Sequence, residues 1–355
     1  MFISSFKKTI AFYFLLIAII YQSITPVSAL AVKDLILSNG LITETMVEIL
    51  GQAGVRIKGR KPKANWPAMM IELESSSCKD VTRLIQGKAP HHPNYSWRAT
   101  PDIERWEMSA KNPNTVNMQA IMDLILKPKN NGVKGLNMGA ETNPKRSTYS
   151  QILLLGSTIG DFNKRIGFLN NLCDKDALHL DEATKMYILT GKRSFNAQEK
   201  VFLQQLNTPD ALNILNSDCE RNAMEWCYKT IKTPKLSKQE MIIIDDANPT
   251  GPRASTQSTL ALFFDHDKAN KKDWKHKKIL LVSSHIFALY QYLIAKRVAF
   301  DQGFDGEIDV CAGSLADSER NAYPDNTKLA MLLDNLARIF YEICQYKEVT
   351  GKYPS

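Results

Sequence analysis

The sequence predicts an α/β fold: a Rossmann-like three-layer sandwich with a mainly parallel sheet, preceded by a helical N-terminal region. Three observations carry this expectation. The stretch Gln151–Asp161 (QILLLGSTIGD) runs four apolar residues, Ile152–Leu155, directly into Gly156-Ser157-Thr158. A short unalternating apolar run ending at glycine is how a strand buried on both faces reads. Met186–Gly191, Met241–Asp246 and Lys278–His285 repeat that grammar. Helical patterns separate the runs, and strands alternating with helices imply parallel pairing through right-handed crossovers.

Residues 1–29 have the layout of a secretory signal peptide. Lys7 and Lys8 form a basic start, Ile10–Ile20 is uncharged and mostly apolar, and Val27-Ser28-Ala29 offers small residues for cleavage. The alternative is a retained anchor, but Tyr21, Gln22 and Ser23 interrupt a run that would need about 20 apolar residues to span. The expected mature chain starts near Leu30, is periplasmic or secreted, and keeps no stable membrane span.

Residues 30–148 form the expected N-terminal region. Thr43–Gln52 and Thr115–Leu126 place apolar residues at helical spacing. Between them, Lys88–Asn114 is rich in Pro, His, Trp and Asn. His91 and His92 are adjacent, with no third ligand at helical spacing, so a surface loop is expected there rather than a metal site. Lys127–Ser147, punctuated by Gly, Pro and Asn, reads as loop or linker.

Residues 149–355 form the expected α/β domain. Ile152–Leu155 precedes a helix about Phe162–Leu172; Tyr187–Thr190 precedes helices around Ala197–Leu206 and Glu220–Ile231. Ile242–Ile244 is followed by the loop Ala247–Arg253 and a helix around Ser255–Phe264. Ile279–Val282 leads to a helix Ile286–Ala299, and Glu307–Val310 is a fifth strand. The last helix, Asn326–Tyr346, has Leu329, Leu332, Leu333, Leu336, Ile339, Phe340 and Ile343 at core spacing.

The formal net charge is +8, falling to +6 without Lys7 and Lys8. Lys268–Lys278 is the one basic cluster, and it directly precedes a buried strand. It reads as a solvated loop, so no nucleic-acid partner is expected. Six cysteines suit an oxidising compartment, and none form the C-x-x-C pairs of zinc or thioredoxin sites. Cys219 and Cys227 are close enough in sequence to suggest a local bridge.

Ligands of parallel sheets collect at the carboxyl ends of strands. That rule gathers Gly156, Ser157 and Thr158; Thr190, Gly191, Lys192 and Arg193; Asp245 and Asp246 with Arg253 and Thr256; and Ser283, Ser284 and His285. Such a mixed-charge rim suits a phosphorylated or nucleotide-like ligand, although Ser and Asp at helix starts also serve simply as caps. Gly156-x-x-x-Gly160 is not the dinucleotide fingerprint. Ser284-His285 lacks the G-x-S-x-G elbow, which leaves His285 as a lone acid/base or ligand contact.

Several of these residues resemble a family. Gln151–Gly156, Arg165, Tyr187–Gly191 with Glu199 downstream, Gly251–Thr259 and Leu280–His285 are similar, in order, to the motifs of the bacterial YdcF/SanA/ElyC-like domain of unknown function. The resemblance covers about Gln151–Tyr346. This chain departs from it in lacking a Gly-Gly pair after strand one, in Lys192, and in Tyr290 where an Arg often follows the His. It implies an exported protein tied to cell-envelope maintenance whose chemistry is unsettled, with S-adenosylmethionine binding proposed for one branch.

The expected site therefore has Gly156, Ser157 and Gly191 for backbone contact, and Arg165 and Arg253 for an anion. Thr256, Ser283 and Ser284 supply hydroxyls, and Glu199, Asp245 and His285 are the catalytic or ribose-contacting groups. No metal is expected, and no cofactor is assigned. Two alternatives stand beside a ligand-binding or acting protein: a non-enzymatic envelope factor with a protein partner, and an S-adenosylmethionine-binding methyltransferase.

Overall fold

The structure, a computed structural model, describes residues 30–67, 71–92, 95–98, 117–231, 234–249, 254–314 and 325–354. The expected leader peptide and Arg253 lie outside the described residues. The N-terminal region contains α1 (Glu44–Gln52), β1 (Val55–Ile57), β2 (Ile71–Leu73), α2 (Cys78–Ile85), α3 (Met118–Leu126), β3 (Lys129–Asn130) and β4 (Val133–Lys134). The α/β part follows as β5 (Gln151–Leu155), α4 (Ile159–Asp174), β6 (Lys185–Gly191), α5 (Ala197–Leu206), α6 (Pro209–Ser217), α7 (Glu220–Ile231) and α8 (Pro234–Ser237). It continues with β7 (Met241–Asp246), α9 (Thr256–Asp267), β8 (Lys278–Ser283), α10 (Ala288–Asp301), β9 (Glu307–Ala312) and α11 (Asp325–Thr350).

The five strands of the main sheet are all parallel, in the order β7-β6-β5-β8-β9. Every residue of β5 is buried, as the unalternating run predicts for a central strand covered on both faces. Its side chains divide between two cores. Ile152 and Leu154 join α4 and α7 through Phe162, Ile166, Met224 and Cys227. Leu153 and Leu155 join α9 and α10 through Leu260, Phe263, Ile294 and Val298. Fully burying each such side chain contributes about 1.5–3 kcal/mol, so two helical layers on one sheet account for the three-layer architecture.

Helix starts follow local sequence. Thr43, Ser77 and Thr158 accept hydrogen bonds from the amides of Met46, Asp80 and Asp161, and Asn196 and Glu199 close a capping box at α5. Pro209 opens α6, a helix that the sequence expectation did not include.

The N-terminal region differs from its expectation. It holds a parallel strand pair, β1–β2, and a small antiparallel hairpin, β3–β4, besides its helices. Nor does it close a core alone: Met46, Ile49, Leu84 and Ile125 share one cluster with Leu329, Leu336, Phe340 and Ile343 of α11. The amphipathic C-terminal helix thus completes the first part of the chain. The Lys127–Ser147 linker is also anchored, because Thr142 exchanges backbone hydrogen bonds with Ala312 and the Lys145 amide donates to Asp309 Oδ2 at 2.6 Å.

Lys268–His276 forms 3₁₀ turns before β8, in keeping with a connecting segment. Its Trp274 is fully buried and donates Nε1–H to Asp267 Oδ2 at 2.8 Å. His91 is exposed, and among the described residues no His/Cys/Asp/Glu group is arranged to hold a metal ion. No helix among the described residues is long and apolar enough to cross a membrane.

The Cys219–Cys227 bridge is ruled out by helix geometry. Cys227 lies within α7 and Cys219 immediately precedes it, so eight residues at 1.5 Å each separate them by about 12 Å along the axis. A disulfide needs Cα atoms within roughly 7 Å. All six cysteines are free thiols in this structure.

Candidate functional site

The order β7-β6-β5-β8-β9 reverses direction between β5 and β8, the place where open parallel sheets form a crevice beyond their strand tips. A cleft of about 1660 Å³ opens there. Its floor is made by the tips of β5, β6 and β8; α3 and α11 also line it, with Met122, Leu126, Met331 and Leu332 beside the charged Asp123, Lys328 and Arg338. Small-molecule sites usually occupy about 300–1,000 Å³, so one ligand would fill part of this space.

Gly156, Ser157, Arg165, Gly191 and Glu199 of the expected site line the cleft, as do Thr256, Ser283, Ser284 and His285. Residues separated by up to 129 positions in sequence therefore meet at one sheet edge. Asp245 does not join them. Its side chain turns along the sheet to accept from Thr190 Oγ1 at 3.0 Å and faces Arg221 at 3.9 Å.

Several of these residues are occupied by structure rather than open to a ligand. A Cβ on Gly156 would collide with Glu220 Oε1 and lie 2.6 Å from the Leu189 carbonyl oxygen. One on Gly191 would collide with Ala254 Cβ. Glycine is needed at both positions for internal packing.

Arg165 is buried, and its Nη1 donates to the carbonyl oxygens of Leu155 and Gly156 while its Nε donates to Ser284 Oγ at 2.9 Å. It clamps the ends of β5 and β8 together, and burial lowers its guanidinium to about 10. Ser283 donates to Gln291 Oε1. The Ser284 hydroxyl thus accepts from Arg165.

Glu199 departs most from a catalytic role. Its Oε1 accepts from the Ile159 amide and Arg193 Nη2, both at 2.9 Å. Its Oε2 accepts from Arg193 Nη1 at 2.7 Å and from the Asn196 amide at 3.0 Å. Burial alone would raise this carboxyl, but the hydrogen bonds and charge of Arg193 outweigh it and hold Glu199 below the usual range. Both oxygens are committed to joining the starts of α4 and α5.

The titratable group the sequence does not disclose is Glu220, at the start of α7. It lines the cleft beside Gly156, is almost completely buried, and accepts from Arg193 Nε through Oε2 at 3.0 Å. Burial pushes its carboxyl up to about 7, against the lowering pull of Arg193 and with Glu199 adding to the rise. In sequence, a Glu in a first helical turn reads as a complement to the helix dipole; only tertiary burial changes its protonation. Two carboxylates flanking one guanidinium, one held ionised and the other near neutrality, form a pair with separated proton affinities.

The pH dependence follows in sign. The folded protein holds the Glu220 proton more tightly than the unfolded chain, so this contribution is fully present below the ordinary value of 4.5 and is lost as pH rises through about 7. Wild-type protein should lose stability relative to Glu220→Gln across that window, by at most about 1.4 kcal/mol per pH unit. Urea unfolding of both proteins at intervals from pH 4 to 8 measures it. A wild type that gains on the variant over this range would mean Arg193 outweighs burial.

Compared with protein-family models, curated proteins and solved structures, the chain finds no match.

Proposed function

We propose that the cleft binds an anionic, nucleotide-like or phosphorylated small molecule, and that Glu220 is its general acid/base. The observation that carries the reading is Glu220 itself: a carboxyl near neutrality, in a cleft at the sheet's switch point. The start of α9 with Thr256, and the hydroxyl of Ser157, face the same space and offer partial positive charge and hydroxyls to an anion. His285 at the tip of β8 is the second polar contact. The resemblance to YdcF-like proteins extends the proposal to an exported protein acting on a cell-envelope metabolite.

One observation favours a second reading, a non-enzymatic envelope factor that binds a protein partner. Arg193 is spent on Glu199 and Glu220, and Arg165 on backbone carbonyls, so these cations are directed inward. A methyltransferase gains less support, because the space at Gly156 that a cofactor would approach is taken by Glu220.

A thermal-shift screen of nucleotides, sugar phosphates and S-adenosylmethionine separates these readings. A ligand at 100-fold its Kd adds about 2.7 kcal/mol and should raise Tm by several degrees. The rise should shrink in His285→Ala and Thr256→Val. A rise unchanged in both variants places the ligand elsewhere, and no rise with any compound favours the protein-partner reading.

A further inference from the structure

The helix pair that joins the two ends of the chain carries two sulfurs in contact. Cys78 is the first residue of α2, following the N-cap Ser77, and is completely buried. Cys344 lies on α11 and is half-buried. Their Sγ atoms are 3.7 Å apart although 266 positions separate them in sequence. The packing around them is specific. Thr82 Oγ1 lies 3.3 Å from Cys344 Sγ and donates to the Cys78 carbonyl at 2.7 Å, and Gln86 Nε2 reaches the Ala337 carbonyl at 2.5 Å.

We propose that Cys78 and Cys344 are a disulfide-forming pair that ties the N-terminal region covalently to the C-terminal helix. An S–S bond of about 2.05 Å requires the sulfurs to close by roughly 1.7 Å, within reach of rotation about the two χ1 angles. The other four thiols are placed differently. Cys173, Cys227 and Cys311 are buried in the core under the sheet, where burial raises each of them, and the half-buried Cys219 directly precedes α7.

The order of events follows from exposure and ionisation. Contact with Cys78 lowers the Cys344 thiol and raises Cys78, and Cys344 is the more exposed of the two, so Cys344 is the sulfur an external disulfide reaches. The oxidant is an external disulfide, of protein or small-molecule class. Cys344 thiolate attacks one of its sulfurs, forming a mixed disulfide and expelling one thiolate. Cys78 then gives up its proton to solvent and attacks Cys344 Sγ, expelling the second thiolate. Two protein thiols are oxidised, one external disulfide is reduced to two thiols, and two electrons pass. Met331, Leu332 and Arg338 of α11 line the cleft, so the bond also fixes one wall of it.

The test uses the full chain incubated with oxidised glutathione or with dithiothreitol, followed by alkylation, non-reducing digestion and mass spectrometry. Oxidation should remove two of the six alkylatable thiols and yield one cross-linked peptide pair containing Cys78 and Cys344. The oxidised protein should melt roughly 5 °C or more above the reduced protein, since closing so long a loop restricts the unfolded chain. Cys344→Ser should abolish both effects. Should Cys78→Ser fail to fold, the peptide map of wild-type protein and the half-buried Cys344→Ser variant still decide. Six alkylated thiols after oxidation, a glutathione adduct that stops at Cys344, or a cross-link through another cysteine would each overturn the assignment.

Discussion

Arg193→Ala should lose about 3–5 kcal/mol of folding stability, the usual cost of removing one partner from a buried ion pair. Arg193 makes a two-pronged contact with Glu199, a third bond to Glu220, and further bonds to the carbonyls of Ser157 and Ser194. Its loss leaves two buried carboxylates without their cation. The penalty has a pH signature. In the wild type Glu199 is held below the usual carboxylate range, so its contribution is present above that range and disappears as pH falls through the lowered value. Without Arg193 both carboxyls take up protons more readily. The difference between wild type and variant should therefore be largest near pH 8 and shrink toward pH 4. Arg193→Lys should recover little, because a single ammonium cannot serve both carboxylates and two carbonyls in the geometry of a planar fork. Urea unfolding at several pH values measures all of this. A loss under about 1 kcal/mol with no pH trend would indicate pairs behaving as solvated surface contacts.

Arg165→Ala should destabilise the protein by roughly 3 kcal/mol or more, through the fold rather than through a lost ligand contact. Removing it leaves the Leu155 and Gly156 carbonyls and the Ser284 hydroxyl without their donor, at about 1–3 kcal/mol for each group left unsatisfied. A cavity adds to that cost. The same variant distinguishes two roles for this residue. An anion-binding arginine would leave the ligand-free melting temperature near wild type and weaken only the ligand-induced rise. A structural clamp lowers the melting temperature of the free protein first. A free protein that melts unchanged would return Arg165 to the list of ligand contacts.

Much of the architecture was legible because it is written in local patterns. Ile152–Leu155 and Ile279–Val282 are short uninterrupted apolar runs with glycine or serine at their ends, the pattern of a strand covered on both faces. The α5 start at Ala197 follows from Asn196 and Glu199, whose capping chemistry acts within four residues. The strand-tip rule then gathers Gly156, Ser157, Thr256 and His285 into one cleft before any side chain is placed. The shortest elements were less visible: the two-residue strands of the β3–β4 hairpin are too short to show a period of their own.

The strands, their alternation with helices and the strand tips that carry the cleft were thus legible in the sequence, because each rests on spacing within a few residues, whereas the order of the strands in the sheet was decided by the fold. The roles of the residues at that edge were decided by the tertiary structure. Glu199 is an N-terminal helix residue in the sequence and an inward ion-pair partner in the fold; Glu220 is one more first-turn acid until burial shifts its proton affinity. Gly156 and Gly191 look like invitations to a ligand until Glu220 and Ala254 are found in the space beside them. The N-terminal region likewise has no complete core until α11, more than 200 residues later, is laid against α2 and α3. Whether a charge or a thiol is free depends on which distant groups share its low-dielectric surroundings, and no local spacing encodes that.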